Sequence, residues 1–399
     1  MGVLTNPLLA RQDKRSRLAR QRFLLFLILI LVAMVIRSAV ATRLDGFTID
    51  EYYHIAAGVS YVQTGDFRLN PEHPPLVKLW VGSVLSATGF RLSPLRVFHD
   101  KPDERSYTAE AVFLQNDPDA VQRRSRIAMF TLNGLLLIGL ALALRRSFGE
   151  GVALATMAFL AIDPTVAAHL PVVMTDLPVA LLSATAVVLA ARAFQTWARL
   201  DLAWCSIALG LALSAKHSAP LFYIFLGIVG AILAFVVPAS RPDSRVRRLA
   251  KLCGVLAGAW LILWSFYFFR FHESSSATEV FNRPLAQKID DVSSPGYHFV
   301  LSQLNATHLL PRAYLWGFAD TVHAGLEGRA FSQLAFGRLY YNKAPWYYFP
   351  GVIAVKLPIG LGFIVLSGIF LLGLRRYPPG VESSGRGRVG GPPSGFFWL

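Results

Sequence analysis

Eight stretches of the chain are apolar and long enough to read as membrane-spanning helices: about 23–41, 126–144, 150–168, 176–195, 202–216, 219–237, 252–270 and 349–373. A span needs about 20 mostly apolar residues to cross a hydrocarbon core about 30 Å thick. The fifth stretch is short and the third carries Asp163-Pro164, so these two fit the template least well. A long polar segment, 42–125, separates the first two spans, and a second one, 271–346, separates the last two. The expected fold is an all-α integral membrane protein, a multi-span helical bundle of about eight spans. Within the first long loop, Thr48 or Asp50 is placed to cap a helix over DEYYHIAAGVSYVQTG, whose aromatic face suits the membrane interface.

Composition agrees with this reading. The 399 residues are 54% hydrophobic and only 16% charged, against roughly 25% charged in a soluble domain. The net charge of +15 would suggest a nucleic-acid partner in a soluble protein. Here the basic residues gather in the short loops of one side, as the positive-inside bias requires, and no nucleic-acid partner is expected. Residues 1–22 are basic and predicted cytoplasmic. Arg145-Arg146, Arg192, Arg199, the run SRPDSRVRRLAK (240–251) and Arg375-Arg376 then fall on the same side, which leaves 42–125 and 271–346 outside. SAVA at 38–41 has the small residues of a signal-peptide cleavage site, but the apolar run of about 19 residues exceeds the usual 7–15, so the first helix is read as retained. The segment 374–399 is rich in Gly, Pro, Ser and Arg and ends in FFWL, and it reads as a disordered or truncated tail. No internal repeat stands out. Cys205 and Cys253 both lie in apolar runs and read as buried thiols.

The ionisable residues at the outer ends of the spans carry the chemistry. Asp50 and Glu51 follow the first span, and Glu72 and His73 stand in NPEHPPL. Asp176 opens the fourth span, and Lys216 and His217 close the fifth. Charges beside hydrocarbon are costly and mark sites or pathways. Each has a structural alternative. Asp50-Glu51 suits a helix N-terminus, Asp176 in TDLP suits a cap, and Lys216 suits a snorkelling lysine. Glu72 and His73 are held before two prolines, which restrict the backbone before them. Carboxylates as bases or divalent-cation ligands, with a lysine as point charge for a phosphate, suit a reaction on a lipid phosphate ester.

Four segments resemble the membrane glycosyltransferases of the C-type fold, in the branch of protein O-mannosyltransferases and lipid A aminoarabinose transferases. They are IDEYYHIAAGVSYVQTGDFRLNPEHPPLVKLW (49–80), MTDLPVALL (174–182), LALSAKHSAPL (211–221) and WYYFPGVIAVKLP (346–358). The resemblance implies a polytopic bundle with amphipathic helices in the first outer loop, and VKLWVGSVLSATG (77–89) is compatible with one of them. It implies Asp50 as the catalytic carboxylate, with Glu51 as its acidic neighbour. Glu72 is implied to line the site or hold a divalent metal, Asp176 is the second acidic position, and Lys216 contacts the donor phosphate. His73 departs from the aminoarabinose-type pattern and receives no role, nor does His217. The implied reaction moves a sugar from a polyprenyl-phosphate donor to an acceptor hydroxyl on a protein, lipid or glycan, with inversion, at the extracytoplasmic face of the cell membrane. The prolines are expected to stiffen the loop so that Glu72 faces Asp50. A secondary transporter or an inactive membrane scaffold is the competing reading. Arg270, His272 and Glu273 read as an interfacial anchor, KAPWYYFP (343–350) as an aromatic belt, and Asn305-Ala306-Thr307 matches a glycosylation pattern.

Overall fold

The computed structural model describes residues 7–236, 244–276, 278–328 and 332–374. All but the first residue of the expected tail lies outside them. The chain divides into two compact units, Met1–His323 and Ala324–Leu399.

The first unit is helical. It begins with α1 (Pro7–Ala41), then three loop helices, α2 (Glu51–Thr64), α3 (Leu76–Ala87) and α4 (Lys101–Phe113). The bundle continues with α5 (Pro118–Phe148), α6 (Glu150–Ile162), α7 (Pro164–His169), α8 (Asp176–Thr196), α9 (Arg199–Leu213), α10 (Ala219–Val236) and α11 (Arg245–Ser265). After it come α12 (Leu285–Asp290), α13 (Pro295–Ala306) and α14 (Arg312–Glu327), the last belonging to this unit as far as His323. Phe23, Leu27 and Met34 of α1 pack on Leu137 and Leu144 of α5 and Met157 of α6, forming a buried core.

The protein is an all-α, multi-span membrane protein, but the eight predicted spans are not equivalent. Four helices among the described residues are long and apolar enough to cross a membrane: Arg17–Ala41 within α1, α5, α8 and α10. The predicted span 150–168 is broken. Asp163 is extended at ψ 124°, and its carboxylate caps α7 by accepting from Val166 N at 2.8 Å. Pro164 starts the new helix, where its missing N–H costs nothing. Arg37 donates to the freed carbonyl oxygen of Ala161 at 2.9 Å, so the break is held in place. The 13 residues of α6 and the 15 of α9 reach only about 20 Å each, short of the hydrocarbon thickness. The predicted span 252–270 corresponds to α11, which starts earlier among Arg245, Arg247 and Arg248 and stops at Ser265. Cys253, expected to be buried, is exposed, because the buried face of α11 runs through Leu252, Val255, Ala259 and Leu263.

The second unit holds a hairpin, β1 (Ser332–Ala335) and β2 (Arg338–Tyr341), followed by α15 (Tyr348–Lys356) and α16 (Ile359–Leu374). Phe336 and Gly337 both have positive φ, 50° and 78°, as a two-residue hairpin turn requires. The predicted span 349–373 is bent by 107° between α15 and α16. Leu357 precedes Pro358 and is forced extended, at ψ 122°. Lys356 therefore ends a helix instead of lying inside one.

The loop helices set the site. α2 and α3 pack with almost no side chain between them. A Cβ on Gly58 would lie 2.1 Å from the carbonyl oxygen of Lys78, and one on Gly82 would lie 2.2 Å from the backbone of Gly58. Only glycine permits this approach, and it presses Lys78 into the floor of the NPEHPPL loop.

Candidate active site

The loop Asn70–Pro75 is held from inside. Asn70 adopts a left-handed φ of 49°, which asparagine tolerates. The Lys78 ammonium, fully buried, donates to Tyr61 Oη at 3.2 Å, to His73 O at 2.8 Å and to Asn70 O. Three donors meet three acceptors, so the ammonium is satisfied. Burial pushes its pKa down to about 7, although Glu72 pulls the other way. Leu76 N donates to Ser214 O at 2.9 Å, which ties the end of the loop to the C-terminus of α9, two residues before Lys216.

Glu72 is paired. Its carboxylate takes Lys101 Nζ at 2.6 Å and Asn70 Nδ2 at 3.2 Å. Burial, the largest single influence, raises its pKa, but the charge and hydrogen bond of Lys101 together with the Lys78 charge overcome it and hold the carboxyl at about 2. Lys101 also reaches Glu104 at 3.1 Å and lies 4.8 Å over the Tyr53 ring. Glu104 is fully buried and accepts from Asn70 N at 2.6 Å and Asn282 Nδ2 at 2.7 Å. Burial raises the Glu104 pKa. Two carboxylates thus share one lysine, and Glu72 is an anchored anion across ordinary pH.

The adjacent acids Asp50 and Glu51 have separate surroundings. Glu51 is 1% exposed and accepts from Thr48 N at 2.7 Å and Val173 N at 3.0 Å, one bond on each oxygen. It sews the start of α2 to the segment that launches α8. Asp50 flanks α2 as its N-cap residue, is exposed, and makes no side-chain capping bond. Nearby Arg105 donates to Tyr53 Oη and feels the Asp50 charge.

Asp176 is the first residue of α8, not its cap, which is Thr175. Its Oδ1 meets Lys216 Nζ at 2.6 Å, with the two side chains 48% and 27% exposed. His73 lies within reach of both charges. Burial first, then Lys78 and Lys216, pushes its pKa down to about 4, against the pull of Glu72 and Asp176. The structure therefore brings Glu72, His73, Asp176 and Lys216 into one neighbourhood. His217 is buried beneath it, with its ring edge-on to Tyr314 at 4.6 Å. Gly317 of α14 gives room there, since a Cβ would lie 2.0 Å from Pro71 O and 2.4 Å from His217 Nε2.

Three residues escaped sequence reasoning. Lys78 was legible only as a polar position on an amphipathic helix. Lys101, which pairs with Glu72, comes from a helix 29 residues further along the chain. His54 is 2% exposed, its ring 5.1 Å from that of His73, and burial drives its pKa well below the usual imidazole range. No local signal marked it, since its neighbours His73 and Lys78 come from later in the chain. The anchor predicted at Arg270–Glu273 is internal. Glu273 is 1% exposed and paired with Arg312 at 3.1 Å, and Arg270 donates to Gly65 O.

Among the described residues, no three His, Cys, Asp or Glu side chains come together. The carboxylate of Glu72 is already committed to Lys101, so the residues present do not fit the divalent cation implied for it.

The description of one protein family, dolichyl-phosphate-mannose-protein mannosyltransferase, matches residues 27–273, more than half of the chain. The chain belongs to this family. No curated protein and no solved structure matches it. As a member of the mannosyltransferase family it is a membrane glycosyltransferase. The matched range holds every candidate residue from Asp50 to His217 and stops short of the segment 346–358.

Proposed function

We propose that the protein transfers mannose from a polyprenyl-phosphate donor to a protein hydroxyl at the extracytoplasmic face of the membrane, with inversion at the anomeric carbon. The observation that carries this reading is the division of labour at Asp50-Glu51. One carboxylate is buried and fully bonded, and the other is exposed with no side-chain capping bond. A base must be able to accept a proton, and of the two only Asp50 has an uncommitted carboxylate.

In the proposed step, the acceptor oxygen attacks the anomeric carbon as the bond to the phosphate oxygen breaks. The acceptor proton passes to the Asp50 carboxylate. The electron pair leaves with the lipid phosphate, whose added charge Lys216 neutralises. Lys216 is supplied with a resting partner in Asp176, which a phosphate would displace or share. Glu72, His73 and Lys78 form a rigid floor for the sugar. No step is assigned to a metal. A secondary transporter has less support, because the charged groups gather around the loop helices at one end of the bundle.

The test is transfer by membranes carrying Asp50→Asn or Lys216→Ala. Loss in both, with the proteins folded, supports the roles; undiminished turnover in either removes that residue from its role.

A further inference from the structure

An apolar groove lies at the other end of the same helices. A cavity of about 370 Å³ runs between α5, α8 and α9, lined by Leu135, Gly139, Leu189, Trp204 and Leu211, with Arg146 among its lining residues. From Leu135 to Arg146 it follows eleven residues of α5, about 16 Å, which is the depth of one leaflet of a hydrocarbon core about 30 Å thick. The groove opens sideways, since Leu135 and Leu142 are 52% and 44% exposed. Trp204 is 48% exposed, and an indole suits the level of lipid headgroups.

The Arg146 end is cationic. Asp201, 1% exposed, accepts from Arg146 Nε at 2.6 Å and from Arg192 Nε at 3.3 Å. Two guanidinium groups against one carboxylate leave one positive charge. The Nη atoms of Arg146 make no hydrogen bond among the described residues, and Arg192 Nη1 is turned to the carbonyl oxygen of Arg146. The basic residues at this end are those that the positive-inside bias places in the cytoplasm, where the leaflet is rich in anionic lipid.

We propose that this groove holds one anionic glycerophospholipid of the cytoplasmic leaflet, its phosphate at Arg146 and one acyl chain between α5, α8 and α9. The charge complements a phosphate monoester or diester, and the apolar length suits a single chain. The proposal is independent of the transfer reaction.

The experiment is native mass spectrometry of the detergent-solubilised protein with phosphatidylglycerol or phosphatidylcholine of identical acyl chains. Two variants separate chain from headgroup. Gly139→Phe fills the groove from a position where an added Cβ has no neighbour within 4 Å, and it leaves the Arg146–Asp201 pair intact. Arg146→Gln removes the headgroup charge. The wild type is expected to hold one phosphatidylglycerol with about fivefold or greater preference over phosphatidylcholine, the contribution of one basic residue. Gly139→Phe is expected to lose that lipid, and Arg146→Gln to lose the preference. Equal binding of the two lipids by the wild type overturns the proposal, as does an unchanged bound lipid in folded Gly139→Phe. Preferential retention of an added polyprenyl phosphate, displaced by Gly139→Phe, also overturns it by assigning the groove to the donor tail. If Arg146→Gln does not fold, the Gly139→Phe result alone decides.

Discussion

Lys216 Nζ and Asp176 Oδ1 meet at 2.6 Å across 40 residues of sequence. Both side chains are partly exposed, 27% and 48%, and an ion pair of that kind contributes no more than about 1 kcal/mol to stability. Lys216→Met is therefore expected to leave the unfolding midpoint nearly unchanged while lowering transfer at least about a hundredfold, the scale of one lost electrostatic contact in a transition state. Parallel thermal unfolding and turnover assays check this. A large loss of stability would make the pair structural.

Glu51 should behave in the opposite way. Its two oxygens hold the backbone N–H groups of Thr48 and Val173, and a buried donor left without a partner costs about 1–3 kcal/mol. Val173 is buried whereas Thr48 is exposed and its N–H can turn to water, so Glu51→Ala is expected to lose about 1–3 kcal/mol, read as a lowered denaturation midpoint. Asp50→Ala should lose almost none.

The contrast between these neighbours shows how far the sequence could be read. The helix over Glu51–Thr64, the amphipathic helix after NPEHPPL and the group Glu72, Asp176 and Lys216 were all legible, because periodicity, proline and charge at span ends are local signals. The fate of Glu51 was not, since it depends on an amide 122 residues away. The burial of Lys78 depends on Gly58 and Gly82 bringing two backbones together, which no local pattern records. The break at Asp163-Pro164 was visible in the sequence, but whether a proline kinks or ends a helix is decided by its surroundings, here Arg37. The hairpin Ser332–Tyr341 lay in a loop that was read without strands.

Lys78 gives a pH signature. Its pKa falls from 10.5 to about 7 on folding, so between those values the unfolded chain binds more protons than the folded one. Stability then rises with pH across this window, by at most about 1.4 kcal/mol per unit from this group. Unfolding of the wild type measured from pH 7 to 9 should show a slope that Lys78→Met reduces. Lys78→Met should also loosen the loop, leaving the carbonyl oxygens of Asn70 and His73 without their donor.

Glu72 gives the converse. Its carboxyl falls from 4.5 to about 2, so its stabilisation is present above pH 4.5 and is lost as pH falls through 2. The shift corresponds to about 3 kcal/mol. Glu72→Gln should be less stable than the wild type by about that amount at pH 6, and the two curves should converge toward pH 2. A constant gap would separate Glu72 from the Lys101 charge.

The most direct measurement is turnover of polyprenyl-phosphate mannose by purified protein in vesicles with a Ser/Thr-rich acceptor peptide, comparing the wild type with Asp50→Asn. The expected result is mannosylated peptide from the wild type and at least about a hundredfold less from Asp50→Asn, the lower range for loss of a general base, with unfolding midpoints equal. Asp50→Asn turning over at the wild-type rate, or a folded wild type that leaves the donor unconsumed, would contradict the account.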